Sequence, residues 1–157
     1  GDNIPIIIKK FIINNNIIRN ETETLYIKIP QGIDNNEIII IENKGHCFNN
    51  KFSNIKIYIN LLTHDVYARN GLDIIYTAKI SFKESMLGFN IIIKHLNGKR
   101  YKLINSPGEI LHTKSIKQHI NMGFIRDNFT GNLIINFDIC YPKSLSENIV
   151  KILNEIL

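Results

Sequence analysis

The side chains best suited to chemistry in this chain are its five histidines and two cysteines. Catalysis needs a nucleophile beside a base, paired carboxylates, metal ligands at fixed spacing, or a glycine-rich phosphate loop. His46 and Cys47 are adjacent rather than spaced to hold one metal ion, and Cys140 is distant in sequence from both. His112 and His119 lie in a polar, lysine-bearing segment. The residues therefore predict no catalytic centre, no metal site and no cofactor.

Composition narrows the possible partners. The chain has 157 residues and a formal charge of +5, but its lysines are scattered rather than gathered in one stripe, which argues against a nucleic-acid partner. The two cysteines have neither zinc spacing nor the density of a disulfide framework, so we expect a reducing, cytoplasmic location. No uncharged apolar run is long enough to span a bilayer, and no signal peptide opens the sequence, so no membrane partner is expected.

Short strand-like runs with turn residues between them predict a mostly β fold. These runs cover roughly residues 4–8, 25–29, 37–42 and 55–61, and asparagine-rich turns separate them. In the segment from Gly71 onward, alternate apolar residues predict a half-buried strand. A helical turn from Phe82 to Leu87 should follow and end at Gly88. Asn97-Gly98 predicts a type I′ hairpin turn.

The C-terminal residues predict an amphipathic helix. Ser144 and Glu147 have the spacing of a capping box, in which each side chain satisfies a free backbone donor of the other residue. Five apolar residues then share one face at helical spacing, namely Ile149, Ile152, Leu153, Ile156 and Leu157. The pattern leaves two interpretations open, packing on the chain's own sheet or pairing with a second chain.

Several short motifs, in order along the chain, resemble the C-terminal substrate-binding region of DnaJ-type (J-domain) co-chaperones. The motifs are Ile80-Ser81-Phe82 with Gly88, Leu96-Asn97-Gly98-Lys99, Ser106-Pro107-Gly108-Glu109-Ile110, Gly131-Asn132-Leu133 and Tyr141-Pro142-Lys143-Ser144-Leu145-Ser146. The chain carries neither the His-Pro-Asp signature of a J-domain nor Cys-x-x-Cys zinc repeats, so it is similar to class II members. In the family, a strand and a short helix would precede Gly1.

The resemblance implies an all-β, or mostly β, architecture of two small β-sandwich-like domains in tandem. It places a first domain at residues 1–64, a second at residues 65–142 and a dimerisation helix at residues 143–157. Members of the family dimerise through this helix, which implies a homodimer held by the apolar face described above.

The resemblance also implies a function and its site. The family holds unfolded polypeptide clients in an apolar groove and passes them to a seventy-kilodalton heat-shock chaperone. Ile4 and Ile6 match the groove's edge strand, and Tyr67 matches an aromatic residue of its wall. Asp2, Asn3 and Pro5 replace the basic positions that receive the partner's acidic tail, so we expect weak docking of that tail unless Lys9, Lys10 or Lys28 supplies a basic rim.

Two other functions remain open. The first is a dedicated adaptor of the same fold that binds one folded partner, which a peptide array would separate from a chaperone that binds many apolar sequences. The second is a basic nucleic-acid-binding module, whose affinity should fall steeply with salt.

Overall fold

The computed structural model describes residues 2–156, in which fourteen strands and two helices form. The strands are β1 (Asn3–Asn14), β2 (Ile17–Lys28), β3 (Ile38–Ile41), β4 (Cys47–Phe48), β5 (Lys51–Phe52), β6 (Ile55–Tyr58), β7 (Tyr67–Asn70), β8 (Asp73–Ser81), β9 (Phe89–Lys94), β10 (Arg100–Asn105), β11 (Ile116–His119), β12 (Ile125–Arg126), β13 (Phe129–Thr130) and β14 (Leu133–Cys140). The helices are α1 (Phe82–Leu87) and α2 (Glu147–Ile156). About half of the chain is strand, which confirms the predicted mostly β fold with a C-terminal helix.

The strands divide between two compact units. The first unit contains the residues up to Ile74 together with His119–Leu133, and the second contains Ile75–Gln118 with the residues from Ile134 onward. In the first unit, one sheet has the order β2-β1-β4-β5, and two-stranded sheets join β3 with β6 and β12 with β13. A further sheet has the order β11-β14-β8-β7, and β9 pairs with β10.

Alternation of apolar and polar residues gives the strands β8 and β14 one buried face each. On β14, Leu133, Ile135, Phe137 and Ile139 are buried, and the residues between them are not. On β8 the alternate residues Ile74, Ala78 and Ile80 are similarly buried, as the sequence predicts. Burial of each large aliphatic side chain contributes about 1.5 to 3 kcal/mol, so these two strands supply much of the stability.

A capping box fixes the start of α1. The Ser81 hydroxyl accepts a hydrogen bond from the Glu84 N–H at 3.2 Å, and the Glu84 carboxylate accepts one from the Ser81 N–H at 2.8 Å. The Ser81 N–H first, and the Ser81 hydroxyl second, donate to the Glu84 carboxylate and hold the pKa of Glu84 below its ordinary value. The structure confirms the predicted turn from Phe82 to Leu87 and its end at Gly88, where φ is 84°. The sequence interpretation missed this capping box.

The asparagine turns differ from one another in type. Asn15 and Asn16 both have positive φ, 47° and 64°, so a tight two-residue turn joins β1 to β2. The type I′ prediction for Asn97-Gly98 was wrong, because only Gly98 has positive φ. There the Gly98 N–H donates to the His95 carbonyl oxygen at 2.9 Å, which makes a longer loop with glycine in the left-handed position.

Two hairpins of the first unit share one construction. In the first hairpin (residues 43–54), the N–H of Asn43, at φ 55°, donates to the Asn54 side-chain oxygen at 3.0 Å. In the second hairpin (residues 121–132), the N–H of Asn121, at φ 58°, donates to the Asn132 side-chain oxygen at 3.2 Å. The same bond at the same spacing indicates a repeated unit, which the sequence prediction missed.

Charged and cation–π contacts attach the second hairpin within the first unit. The Arg126 guanidinium binds the Glu37 carboxylate through two nitrogens, one at 2.8 Å. Arg69 lies over the Phe124 ring, 4.5 Å from its centroid, and donates to the Ile33 carbonyl oxygen at 2.7 Å. Two arginines therefore hold a hairpin distant in sequence against the N-terminal part of the chain.

The Glu37–Arg126 pair should make stability depend on pH. The guanidinium first, and the Asp34 N–H second, hold the pKa of Glu37 below its ordinary value near 4.5. Since the folded-state pKa is the lower one, the stabilisation is complete above about pH 4.5 and is lost as pH falls through the folded-state value. We expect Glu37→Gln to have a lower urea midpoint than the parent chain at pH 7. The difference between the two midpoints should shrink as pH falls below about 4.5.

The control for this experiment is Glu155→Gln on α2, because Glu155 makes no ion pair among residues 2–156. Its urea midpoint should follow that of the parent at every pH. A constant difference between Glu37→Gln and the parent from pH 7 to pH 3 would contradict the assignment.

No helix within the described residues 2–156 is long and apolar enough to cross a bilayer.

Candidate functional site

The β1–β2 hairpin presents a row of apolar side chains on one face. Its register places Ile4 opposite Ile27 and Ile6 opposite Leu25, and directly opposed residues in an antiparallel pair share a face. Ile27 is 4% exposed, whereas Ile4 is 47% exposed and the other two are half-buried. We call Ile4, Ile6, Leu25 and Ile27 the apolar strip. It offers a partly open hydrophobic surface.

A charged cluster bounds the apolar strip further along the same face. Lys10 is charged but only 8% exposed, and its ammonium donates to the Glu23 carboxylate at 2.7 Å. Lys44 donates to the other oxygen of the Glu23 carboxylate at 2.9 Å. Lys10 first, and then Lys44, hold the pKa of Glu23 below its ordinary value. The cluster keeps a buried lysine paired, so the apolar strip ends at a fixed polar boundary.

The strand β2 leaves one of its edges open. In the sheet order β2-β1-β4-β5, and within residues 2–156, all twelve residues of β2 have a strand neighbour only on the β1 side. An edge strand carries free N–H and C=O groups that pair with an added strand. An extended peptide along β2 would therefore gain backbone hydrogen bonds beside the apolar strip.

The three predicted peptide-binding residues lie in two different sheets. Ile4 and Ile6 share one face of β1, while Tyr67 belongs to β7. Tyr67 is 8% exposed, and its N–H donates to Nδ1 of His64 at 3.3 Å. Tyr67 is therefore nearly covered, and a packing role competes with a binding role for it.

A second surface feature, the aromatic cleft, lies between β1 and the first hairpin and has a volume of about 510 Å³. It is lined by Phe11, Ile13, His46, Cys47, Phe48, Lys51, Phe52 and Ser53. Phe11, Phe48 and Phe52 are 51, 63 and 42% exposed, so three phenyl rings face solvent together. The sequence prediction missed this cleft, although Phe48 and Phe52 on either side of Asn49-Asn50 were a visible signal for part of it.

Backbone pairing and one side-chain bond build the aromatic cleft. Short β4 runs parallel to β1, with Phe48 opposite Ile13, and turns at Asn49 and Asn50 into β5. Nδ1 of His46 accepts a hydrogen bond from the Phe11 N–H at 3.0 Å, and their ring centroids are 5.3 Å apart. The cleft is thus a formed depression.

The helix α2 exposes the apolar face predicted from the sequence. Ile149, Ile152 and Ile156 are 46, 51 and 73% exposed, Leu153 is half-buried, and no described residue of the helix is buried. Leu157, predicted to complete this face, lies outside the described residues. The helix begins at Glu147, and the Val150 N–H donates to the Ser146 carbonyl, so the predicted capping box at Ser144 was wrong.

Comparison with known proteins shows one family. Residues 7–142 match the family model described as the DnaJ C terminal domain. A "Chaperone protein DnaJ" from Borreliella burgdorferi is 30% identical over 136 residues, and one from Mycoplasma capricolum is 34% identical over 149 residues. The "DnaJ homolog subfamily B member 11" of Bos taurus is 31% identical over 134 residues. These alignments cover 85, 87 and 82% of this chain and 37% of each relative, so the chain spans just over a third of their length.

Proposed function

The chain belongs to the DnaJ C-terminal domain family, and from that premise we propose that it binds unfolded polypeptide clients as part of a co-chaperone. The observation that carries this proposal is the partly open apolar strip beside the free edge of β2. Backbone hydrogen bonds along an edge recognise any extended chain, and the strip selects apolar side chains. The proposed role is binding rather than catalysis.

The client's course after binding is also proposed from the family. A seventy-kilodalton heat-shock chaperone would receive the client, and a homodimer would present two strips to one unfolded chain. Two linked sites raise affinity through effective concentration without any new contact. The cytoplasm is the proposed location. The division into tandem domains at residues 1–64 and 65–142 stays a prediction.

The apolar strip is tested by substituting two isoleucines of the same strand. Ile4 belongs to the strip, while Ile7 points to the opposite face and is 72% exposed. Ile4→Ser should weaken binding of a fluorescent, leucine-rich unfolded peptide roughly fivefold to tenfold, since a half-buried side chain contributes about 1 to 1.5 kcal/mol on full burial. Ile7→Ser is the matched control and should leave the anisotropy titration unchanged.

Two further comparisons test the mode of binding and the proposed role of Tyr67. Methylation of alternate peptide nitrogens should weaken binding, because it removes donors to the β2 edge. Tyr67→Phe should bind as the parent does, and Tyr67→Ala is measured for both peptide affinity and melting temperature, since the residue is buried. Equal affinity of Ile4→Ser, Ile7→Ser and the parent would contradict the proposed site. A peptide array that gave a single bound sequence would favour the adaptor function.

A further inference from the structure

The aromatic cleft carries positive charge at its rim and no carboxylate in its lining. A smaller cleft of about 320 Å³ adjoins it, shares His46 and Ser53 with it, and is also lined by Lys9 and Lys10. Lys10 is already paired with Glu23, whereas Lys9 and Lys51 are exposed and make no ion pair within the described chain. Among residues 2–156, no Asp or Glu lines either cleft. The two clefts therefore favour an anionic group at their rim.

The second hairpin shows one position at which the two hairpins differ. The spacing that relates them places Phe48 of the first at the position of Arg126 in the second, and Lys51 at the position of Phe129. Arg126 is bound to Glu37 within the chain, whereas Phe48 is 63% exposed. Lys51 and Phe129 both face solvent. Two hairpins of the same construction thus differ at the Phe48 position, which is engaged within the chain in the second hairpin and open in the first.

We propose that the aromatic cleft binds one large aromatic side chain of an extended client segment, with carboxylates beside that side chain bound by Lys51 and Lys9. The inference rests on the proposed function, because the occupant is a client segment, and it adds a second site with its own selectivity. A cleft of this volume accepts a bulky side chain. An aromatic ring packed against the phenyl rings of the cleft gains more attraction than the apolar area it buries would supply. The exposed lysines supply complementary charge.

Three fluorescent nonapeptides with identical flanking residues test the selectivity of this site. Their central sequences are Asp-Phe-Asp, Asp-Ala-Asp and Lys-Phe-Lys, and anisotropy measures their binding to the chain. The first should bind about tenfold more tightly than either of the others, as expected when one anchor residue or its charge complement is lost. Equal binding of the three peptides would overturn the proposal.

Exposed residues allow substitutions that leave the fold intact. Phe48→Ala should weaken binding of the Asp-Phe-Asp peptide about tenfold, and Lys51→Glu should weaken it about fivefold and reduce its salt dependence. Phe129 lies on the second hairpin, is 73% exposed, and gives the matched control, since Phe129→Ala should change nothing. Unchanged affinity in Phe48→Ala would overturn the proposal.

The Ile4→Ser variant of the apolar strip separates the test of the aromatic cleft from the test of the proposed function. Ile4→Ser should weaken the leucine-rich peptide while leaving the Asp-Phe-Asp peptide unaffected, because the strip and the cleft lie at different ends of β1. If Ile4→Ser weakens the leucine-rich peptide but Phe48→Ala weakens neither, the cleft is wrong and the proposed function stands. If only Phe48→Ala has an effect, the cleft stands and the strip is wrong.

Discussion

Removal of residues 144–157 should convert a dimer of this chain into a monomer whose β-sheets remain folded. The apolar face of α2 contains three isoleucines that are 46 to 73% exposed, and no described residue of the helix is buried. Each aliphatic side chain that a second chain buries contributes about 1.5 to 3 kcal/mol, so losing the face from both chains removes most of the proposed association energy. Light scattering of both chains at the same concentration measures the mass.

A pair of point variants separates loss of the apolar face from loss of the helix. Ile152→Asp places a charge on the face, and Asn154→Asp places the same charge almost opposite it on the helix. Only Ile152→Asp should yield a monomer. If truncation leaves the mass unchanged and instead lowers the melting temperature, the helix packs on its own chain and the dimer proposal fails.

Gly131→Ala should destabilise the first unit more than the same substitution of a glycine in an open loop would destabilise the chain. A Cβ at Gly131 would lie 2.8 Å from the Asp73 nitrogen and would overlap the Leu72 carbonyl. The Asn132 N–H donates to the Asp73 carboxylate at 2.7 Å, so the backbone at Gly131 cannot move away from Leu72 without straining this hydrogen bond. We expect a loss of about 3 kcal/mol, and hence a melting temperature lower by roughly 6 to 12 °C.

The sign of the stability change in Gly131→Ala shows whether close packing or backbone conformation dominates at this position. Gly131 has no positive φ, and at such a position alanine ordinarily stabilises by about 0.4 to 1 kcal/mol through the unfolded state. Gly98→Ala is the control, since Gly98 has open space around it and a φ of 81°, and should cost only about 1 kcal/mol. A melting temperature for Gly131→Ala at or above that of the parent would show that the two backbones are not in close contact.

Local patterns allowed prediction of the elements that nearby residues determine. The helical turn from Phe82 to Leu87 depends on Gly88 at its end, and the apolar face of α2 depends on spacing within one helix. The strand β1 extends to Asn14, six residues beyond the predicted run. A lysine interrupts the apolar pattern at residue 10, and in the structure its pairing with Glu23 permits its burial within the strand.

The unpredicted features depend on contacts between residues far apart in sequence. The aromatic cleft needs Phe11 on β1 beside His46, 35 residues away, and no local pattern specifies that pairing. The two-residue strands β4 and β5 lie within an asparagine-rich segment that predicts only a turn. The family resemblance supplied Ile4, Ile6 and Tyr67 but gave no indication of the cleft.

The division of the chain has a consequence for its synthesis on the ribosome. The second hairpin, residues 121–132, belongs to the unit that begins the chain, and Arg126 binds Glu37, which lies 89 positions earlier in the sequence. A nascent chain that has emerged only as far as residue 118 lacks this hairpin and leaves Arg69 without the Phe124 ring. The N-terminal unit therefore closes late in translation, after the strands of its neighbour have begun to pair, and this long-range closure slows its folding.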